Sequence, residues 1–98
     1  MLNSEFKKEW IKALRGPFYN QCSGHISHMG AYCCLGVAIC VYNKNPENVD
    51  ISFDNVDIYN TIKNKIGLVR DQTRKLIELN DHEKKNFREI ADWIETNL

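Results

Sequence analysis

The ten residues from Tyr32 to Val41, Tyr-Cys-Cys-Leu-Gly-Val-Ala-Ile-Cys-Val, carry no charge. Leaving such a run in water costs roughly 25 cal/mol per Å² of exposed apolar surface, so it must be covered by the rest of the chain. It is too short to cross a bilayer, which takes about 20 apolar residues. Cys34, Val37 or Ala38, and Val41 recur at helical spacing, with Leu35 and Ile39 on the neighbouring stripe. This predicts a helix over 32–42 buried nearly all round, although periodicity alone leaves a buried strand open. The small residues Gly36 and Ala38 would let another backbone come close.

The surrounding sequence sets the size of that cover. The chain has 98 residues, 43% of them hydrophobic, enough for one core and too few for two. The expectation is a single domain over 1–98, α+β and mostly helical. A first helix and a small hairpin pack around the 32–42 helix, and the C-terminal helices close the other side. A core of this size gives a modest stability margin, which leaves room for a homo-oligomer. Thirteen basic and thirteen acidic side chains cancel, so the domain-wide positive footprint of a nucleic-acid binder is missing. The N-terminal MLNSEFKKEW has no apolar signal core, which predicts a cytosolic chain. In a reducing compartment the adjacent Cys33 and Cys34 are expected as thiols.

Taken in order, Ser4 or Asn3 caps a first helix that stops at Gly16-Pro17, with Phe6, Trp10, Ala13 and Leu14 on one face. Ile11 lies off that face, either covered by another segment or offered to a partner. Residues 18–29 switch to a period of two around Cys22-Ser23-Gly24, predicting a hairpin with Gly24 near its turn. Val49, Ile51 and Phe53 alternate with polar residues and predict a short strand. Asp54 or Asn55 then opens a helix through Val56, Tyr59, Ile62 or Lys63, and Ile66 that ends at Gly67. Asp71 starts another, stopping at Asn80-Asp81. The last has Asn86 and Glu89 as a capping box and Phe87, Ile90, Ala91, Ile94 and Leu98 as its stripe, with Trp93 off it.

Four groups of residues carry possible chemistry. Cys22, His25, His28 and Cys33 read C-x2-H-x2-H-x4-C, ligand types that zinc accepts, but the spacing is not a standard finger and a hairpin would point them to opposite sides. No metal is assigned. Cys33 or Cys34 at a helix start could ionise early, with His25 or His28 as base, yet no acid orients the histidine and no oxyanion loop is visible. The final two helices resemble a helix-turn-helix in pattern only. Their connection exceeds 3 or 4 residues, and Glu89, Asp92 and Glu95 would meet phosphates. Aromatic Phe18, Tyr19, Tyr32, Tyr42 and Trp10 with Arg15 and Lys12 suggest a pocket for a small anion such as a nucleotide, against the plainer reading that aromatics fill the core. Tyr19, Gln21, Arg15 and Tyr32 are its candidate ligand residues, and Trp93 and Ile11 the candidate interface anchors. No P-loop, dinucleotide fingerprint, paired-carboxylate motif or membrane segment appears, and no cofactor is assigned.

Trp10, Leu14-Arg15, Tyr19-Asn20-Gln21, Tyr32 to Val37, Leu79-Asn80-Asp81 and Phe87-Arg88-Glu89-Ile90-Ala91-Asp92-Trp93-Ile94 together resemble a small family of uncharacterised phage and bacterial proteins. The likeness runs over nearly the whole chain. It departs at Cys22, His25 and His28, and at Val69, where a capping Ser often stands. The resemblance implies origin as phage or mobile-element cargo and carries over no activity or catalytic residue. The resulting expectation is a non-enzymatic accessory protein in a bacterial host's cytoplasm, active in host manipulation or counter-defence. It would inhibit a host protein or sequester a small nucleotide-like anion. The alternative is a small Cys/His-dependent enzyme or zinc-binding protein, and substitution of Cys33 and Cys34 by Ser separates the two.

Overall fold

A computed structural model describes residues 2–98. Helix α1 (Ser4–Arg15) begins where the Asn3 side-chain oxygen accepts from the backbone N–H groups of Glu5 at 2.9 Å and Phe6 at 3.1 Å. Two otherwise unpaired helix donors are satisfied this way. The helix ends at Gly16, whose N–H reaches back to the Lys12 and Ala13 carbonyls. Trp10 and Leu14 are enclosed completely, and so is nearly all of Ile11. Because α1 packs on two partners, α2 and α5, its apolar arc is wider than one stripe, and Ile11 is covered from within the chain.

Three two-residue strands follow: β1 (Asn20–Gln21), β2 (Ser27–His28) and β3 (Ala31–Tyr32), in the spatial order β1-β3-β2. The hairpin is not the one expected around Gly24. It joins β2 to β3, with His28 opposite Ala31, across Met29 (φ 49°) and Gly30 (φ 81°). Two central residues with positive φ make a turn whose twist matches that of the strands. β1 returns to pair with β3 in parallel, Gln21 beside Tyr32. Methionine is a poor occupant of a left-handed position, and this side chain is almost fully exposed. Met29→Asn, which gives the favoured Asn-Gly pair, should therefore raise stability by about 0.5–1 kcal/mol, seen as a higher urea midpoint. An unchanged or lower midpoint would contradict the turn assignment.

Cys33 leads directly into α2 (Cys34–Lys44), in which every residue from Cys34 to Ile39 is buried. The central run is the buried helix expected, but it starts two residues later, since Tyr32 lies in β3, and it continues to Lys44 instead of ending at Tyr42. Gly36 explains how the sheet lies so close. A Cβ there would collide with the Ile26 carbonyl oxygen and stand 3.1 Å from the Tyr32 Cβ. The same Ile26 carbonyl accepts from the Cys33 N–H at 3.1 Å.

The strand expected over 49–53 does not form. Val49 is exposed and only Ile51 is buried, so the alternation has no neighbouring strand to pair with. Its place is taken by one side chain. The Asn43 amide donates to the Ile51 carbonyl at 3.0 Å and accepts from the Ile51 N–H at 2.7 Å, standing in for a strand neighbour.

Helix α3 (Ile58–Thr61) runs into a π-helical turn (Ile62–Ile66) and ends at Gly67 with φ 96°. The left-handed ending at Gly67 is the one its sequence predicts. Neither Asp54 nor Asn55 caps it, and its inner face is Ile58, Ile62 and Ile66, leaving Tyr59 half in water. Helix α4 (Arg70–Ile77) starts one residue before Asp71. The Gln72 side chain accepts from the Val69 N–H at 3.0 Å, half of a capping box, since valine has no side-chain acceptor. A second π-helical turn (Glu78–His82) follows. Helix α5 (Phe87–Asn97) carries both bonds of the expected box, Glu89 N–H to Asn86 Oδ1 at 2.9 Å and Asn86 N–H to Glu89 Oε1 at 3.1 Å. Phe87, Ile90, Ala91 and Ile94 face inward. The architecture is α+β and mostly helical, with α2 at its centre. Among the described residues no helix is long and apolar enough to cross a membrane.

Candidate functional site

The most densely bonded polar point of the fold is Asn80, 1% exposed. Its Oδ1 accepts from the Gln21 side-chain amide at 2.9 Å and from the Cys34 N–H at 3.3 Å. Its Nδ2 donates to the Cys22 carbonyl and the Asp81 carboxylate, both at 2.8 Å. All four bonding positions of the side-chain amide are filled. Gln21 also donates to the Lys85 carbonyl at 2.8 Å, and Trp10 Nε1 donates to the Cys34 carbonyl at 3.0 Å. Thus Trp10, Gln21, Cys34 and Asn80, which stand in separate motifs of the sequence, converge on one junction. That junction joins β1, the start of α2 and the chain after α4, and its chemistry is that of a fastening. Gln21 is committed to it.

The thiols beside this junction are placed for packing. Burial pushes Cys33 up to about 11, outweighing the Gly36 and Leu35 backbone N–H groups that favour the thiolate. Burial likewise raises Cys34 well above the ordinary thiol value, and its Sγ lies 3.7 Å from the Leu76 carbonyl. Burial at this helix start thus opposes the thiolate, against the lowering that a helix dipole would give. The sign of the pH dependence follows. Cys33 holds its proton in the fold beyond the pH at which the unfolded chain gives it up, so its contribution to stability is complete below about pH 9 and lost as pH rises through about 11. Urea midpoints should fall across that window, and Cys33→Ala should flatten the fall. A slope unchanged by Cys33→Ala would refute this assignment.

His25 and His28 stack on each other with ring centres 4.6 Å apart, and both are exposed. Cys22 Sγ donates to the His25 carbonyl at 3.4 Å. Cys22, His25, His28 and Cys33 do not come together: among the described residues, no three His, Cys, Asp or Glu side chains are grouped so that they could hold a metal ion.

The candidate ligand residues divide between three places. Gln21 is at the junction. Arg15 reaches α5, where its guanidinium meets Asp92 at 2.8 Å and Glu95 at 3.2 Å, bonds that raise its pKa, Glu95 first. Tyr19 and Tyr32 do meet, edge to face at 5.8 Å, and Tyr32 continues to Phe53 at 5.7 Å. Trp10 fills the core, as the plainer reading of the aromatics expects.

One part of the aromatic and cationic pocket does assemble. Phe18, Tyr19 and Lys12 line a groove of 480 Å³ between α1 and the end of α2. Lys44 completes it, its ammonium 5.5 Å from the Tyr19 ring centre. Lys12 and Lys44 make no ion pair among the described residues, while Glu9 lines the groove with them. Phe18 is 84% exposed, a large aromatic with little cover in its own chain. Sequence reasoning missed Lys44; its helical spacing of three from Val41 was the available signal. Of the interface candidates, Ile11 is inside the core and Trp93 is half-buried against it.

Residues 2–58 match the family described as Domain of unknown function (DUF8296). The chain belongs to this family. The DUF8296 match takes in α1, the sheet, α2 and the loop after it, and hence the whole Phe18 groove and the Gly36 contact. It stops before Asn80, so the junction's central residue lies outside it. No curated protein and no solved structure matches the chain.

Proposed function

We propose that this DUF8296 protein is a non-enzymatic accessory protein of phage type that works by binding, in host manipulation or counter-defence, in the cytoplasm of a bacterial host. Its target is a host protein, engaged through the face formed by Phe18, Tyr19, Lys12 and Lys44. The observation that carries this reading is Phe18: an aromatic 84% exposed beside a groove and two lysines that make no ion pair among the described residues. Aromatic anchors that enter a partner's pocket dominate interface energies, and unpaired cations around them select a partner with an acidic rim. The buried, protonated state of Cys33 and Cys34 supports binding over cysteine chemistry.

The test is capture from a host lysate by the full chain in parallel with Phe18→Ala and Lys44→Glu. A host protein held by the wild type should be lost, at least about tenfold, with Phe18→Ala, a side chain whose removal leaves the core untouched. Reversing the Lys44 charge should slow its association. Equal retention by all three chains, or no retained protein, would remove the reading.

A further inference from the structure

A second cleft, between α3 and α4, shares no residue with the Phe18 groove. Its volume is 510 Å³, within the roughly 300–1,000 Å³ of small-molecule sites. Leu68, Thr73 and Ile77 line its inner part, Leu68 fully buried. Tyr59 forms one wall and is 51% exposed, with no aromatic neighbour among the described residues.

Asn60 and three cations, Lys63, Arg70 and Arg74, complete the lining, which holds no carboxylate. None of the three makes an ion pair among the described residues. Glu78, one turn beyond Arg74, is engaged elsewhere, and Asp71, beside Arg70, does not line the cleft. Lys75, next to Arg74, takes Glu83 at 3.6 Å and Glu78 at 3.9 Å. In a chain of zero formal charge, three cations left together around an apolar, aromatic-walled cleft amount to a local positive field.

We infer that this cleft binds a phosphorylated small molecule bearing a planar ring, with the size and charge of a nucleotide. The ring lies against Tyr59 over Leu68 and Ile77, and the phosphates lie between Arg70, Arg74 and Lys63. Two arginine forks and a lysine suit a compact group with at least two negative charges. Guanidinium matches phosphate in paired hydrogen bonds, and lysine adds a point charge. The exposed Tyr59 face supplies the stacking partner that the phosphates alone would not need. This site goes beyond engagement of a host protein and stands or falls separately from it.

Calorimetric titration of the full chain with ATP, adenosine and tripolyphosphate, without metal and at low salt, tests it. ATP should bind at one site. Arg70→Glu and Arg74→Glu should each weaken it about tenfold or more, the range of a lost charge-assisted contact. Tyr59→Ala should weaken ATP and leave tripolyphosphate unchanged. Lys8→Glu, on α1 and outside both grooves, should alter neither. All these side chains are exposed, and unchanged helical circular dichroism confirms that each variant is folded. Absence of ATP binding at millimolar concentration overturns the inference. So does equal weakening by Lys8→Glu and Arg74→Glu, which would mean bulk charge. Tripolyphosphate binding as tightly as ATP, with Tyr59→Ala silent, would overturn the ring-bearing class.

Discussion

Gly36→Ala is expected to destabilise the protein by at least about 3 kcal/mol, the upper range for forcing extra atoms into a packed core. Helix propensity alone gives the opposite sign, since alanine in a helix interior is favoured over glycine by about 1 kcal/mol. The obstacle is the Ile26 carbonyl, a backbone atom bonded to the Cys33 N–H. It cannot rotate away as a side-chain end would. Either α2 lifts off the sheet or that bond breaks, and both expose part of the core. For a domain with a total stability near 5–15 kcal/mol, the urea midpoint should drop by roughly 2 M. A midpoint that stays or rises would show that the sheet gives way easily and that Gly36 is not a packing requirement.

Asn80→Leu should cost about 4 kcal/mol or more. Leucine matches asparagine in branching and heavy-atom count but its methyl groups are bulkier, so the loss combines lost bonding with some overpacking. It strands the Cys34 N–H and the Cys22 carbonyl, backbone groups that cannot be withdrawn, and frees the Gln21 amide. Each stranded buried group costs about 1–3 kcal/mol. In a double-mutant cycle, Gln21→Ala should cost much less in the Asn80→Leu background than alone, because both belong to one network. Additive costs, or a single-variant loss below about 1 kcal/mol, would mean that the junction is incidental to stability.

What could be read from the sequence was whatever is decided locally. Asn3, the Asn86 and Glu89 box, and Gly67 act within a few residues of themselves, and each stands where its pattern predicts. The uncharged run likewise had one place to go. Asn80 shows the opposite case. A helix-terminating asparagine and a buried junction asparagine look alike over five residues, and three of its partners are 46 to 59 positions away. The alternation at 49–53 fixed which side of Ile51 faces inward but could not supply a neighbouring strand. Gly24 and Gly30 both take positive φ, and only the pairing of His28 with Ala31 says which is the hairpin turn. At the groove, Phe18, Tyr19 and Lys12 were three members of a larger aromatic and cationic set, of which Trp10 went to the core. Arg15 and Gln21, close in sequence, were drawn away by Asp92 and Asn80, choices that depend on the distant C-terminal half.

The clasp between Asn43 and Ile51 has a practical consequence. Because both bonds to Ile51 come from one amide, the residues from 45 to 50 form a closed ring on the surface whose ends are already held. Each doubling of such a loop's length adds only about 0.6 kcal/mol of closure entropy. A short peptide epitope inserted after Glu47 would therefore leave the core undisturbed while projecting near Lys44. The fold thus offers its own attachment point for a reporter beside the groove.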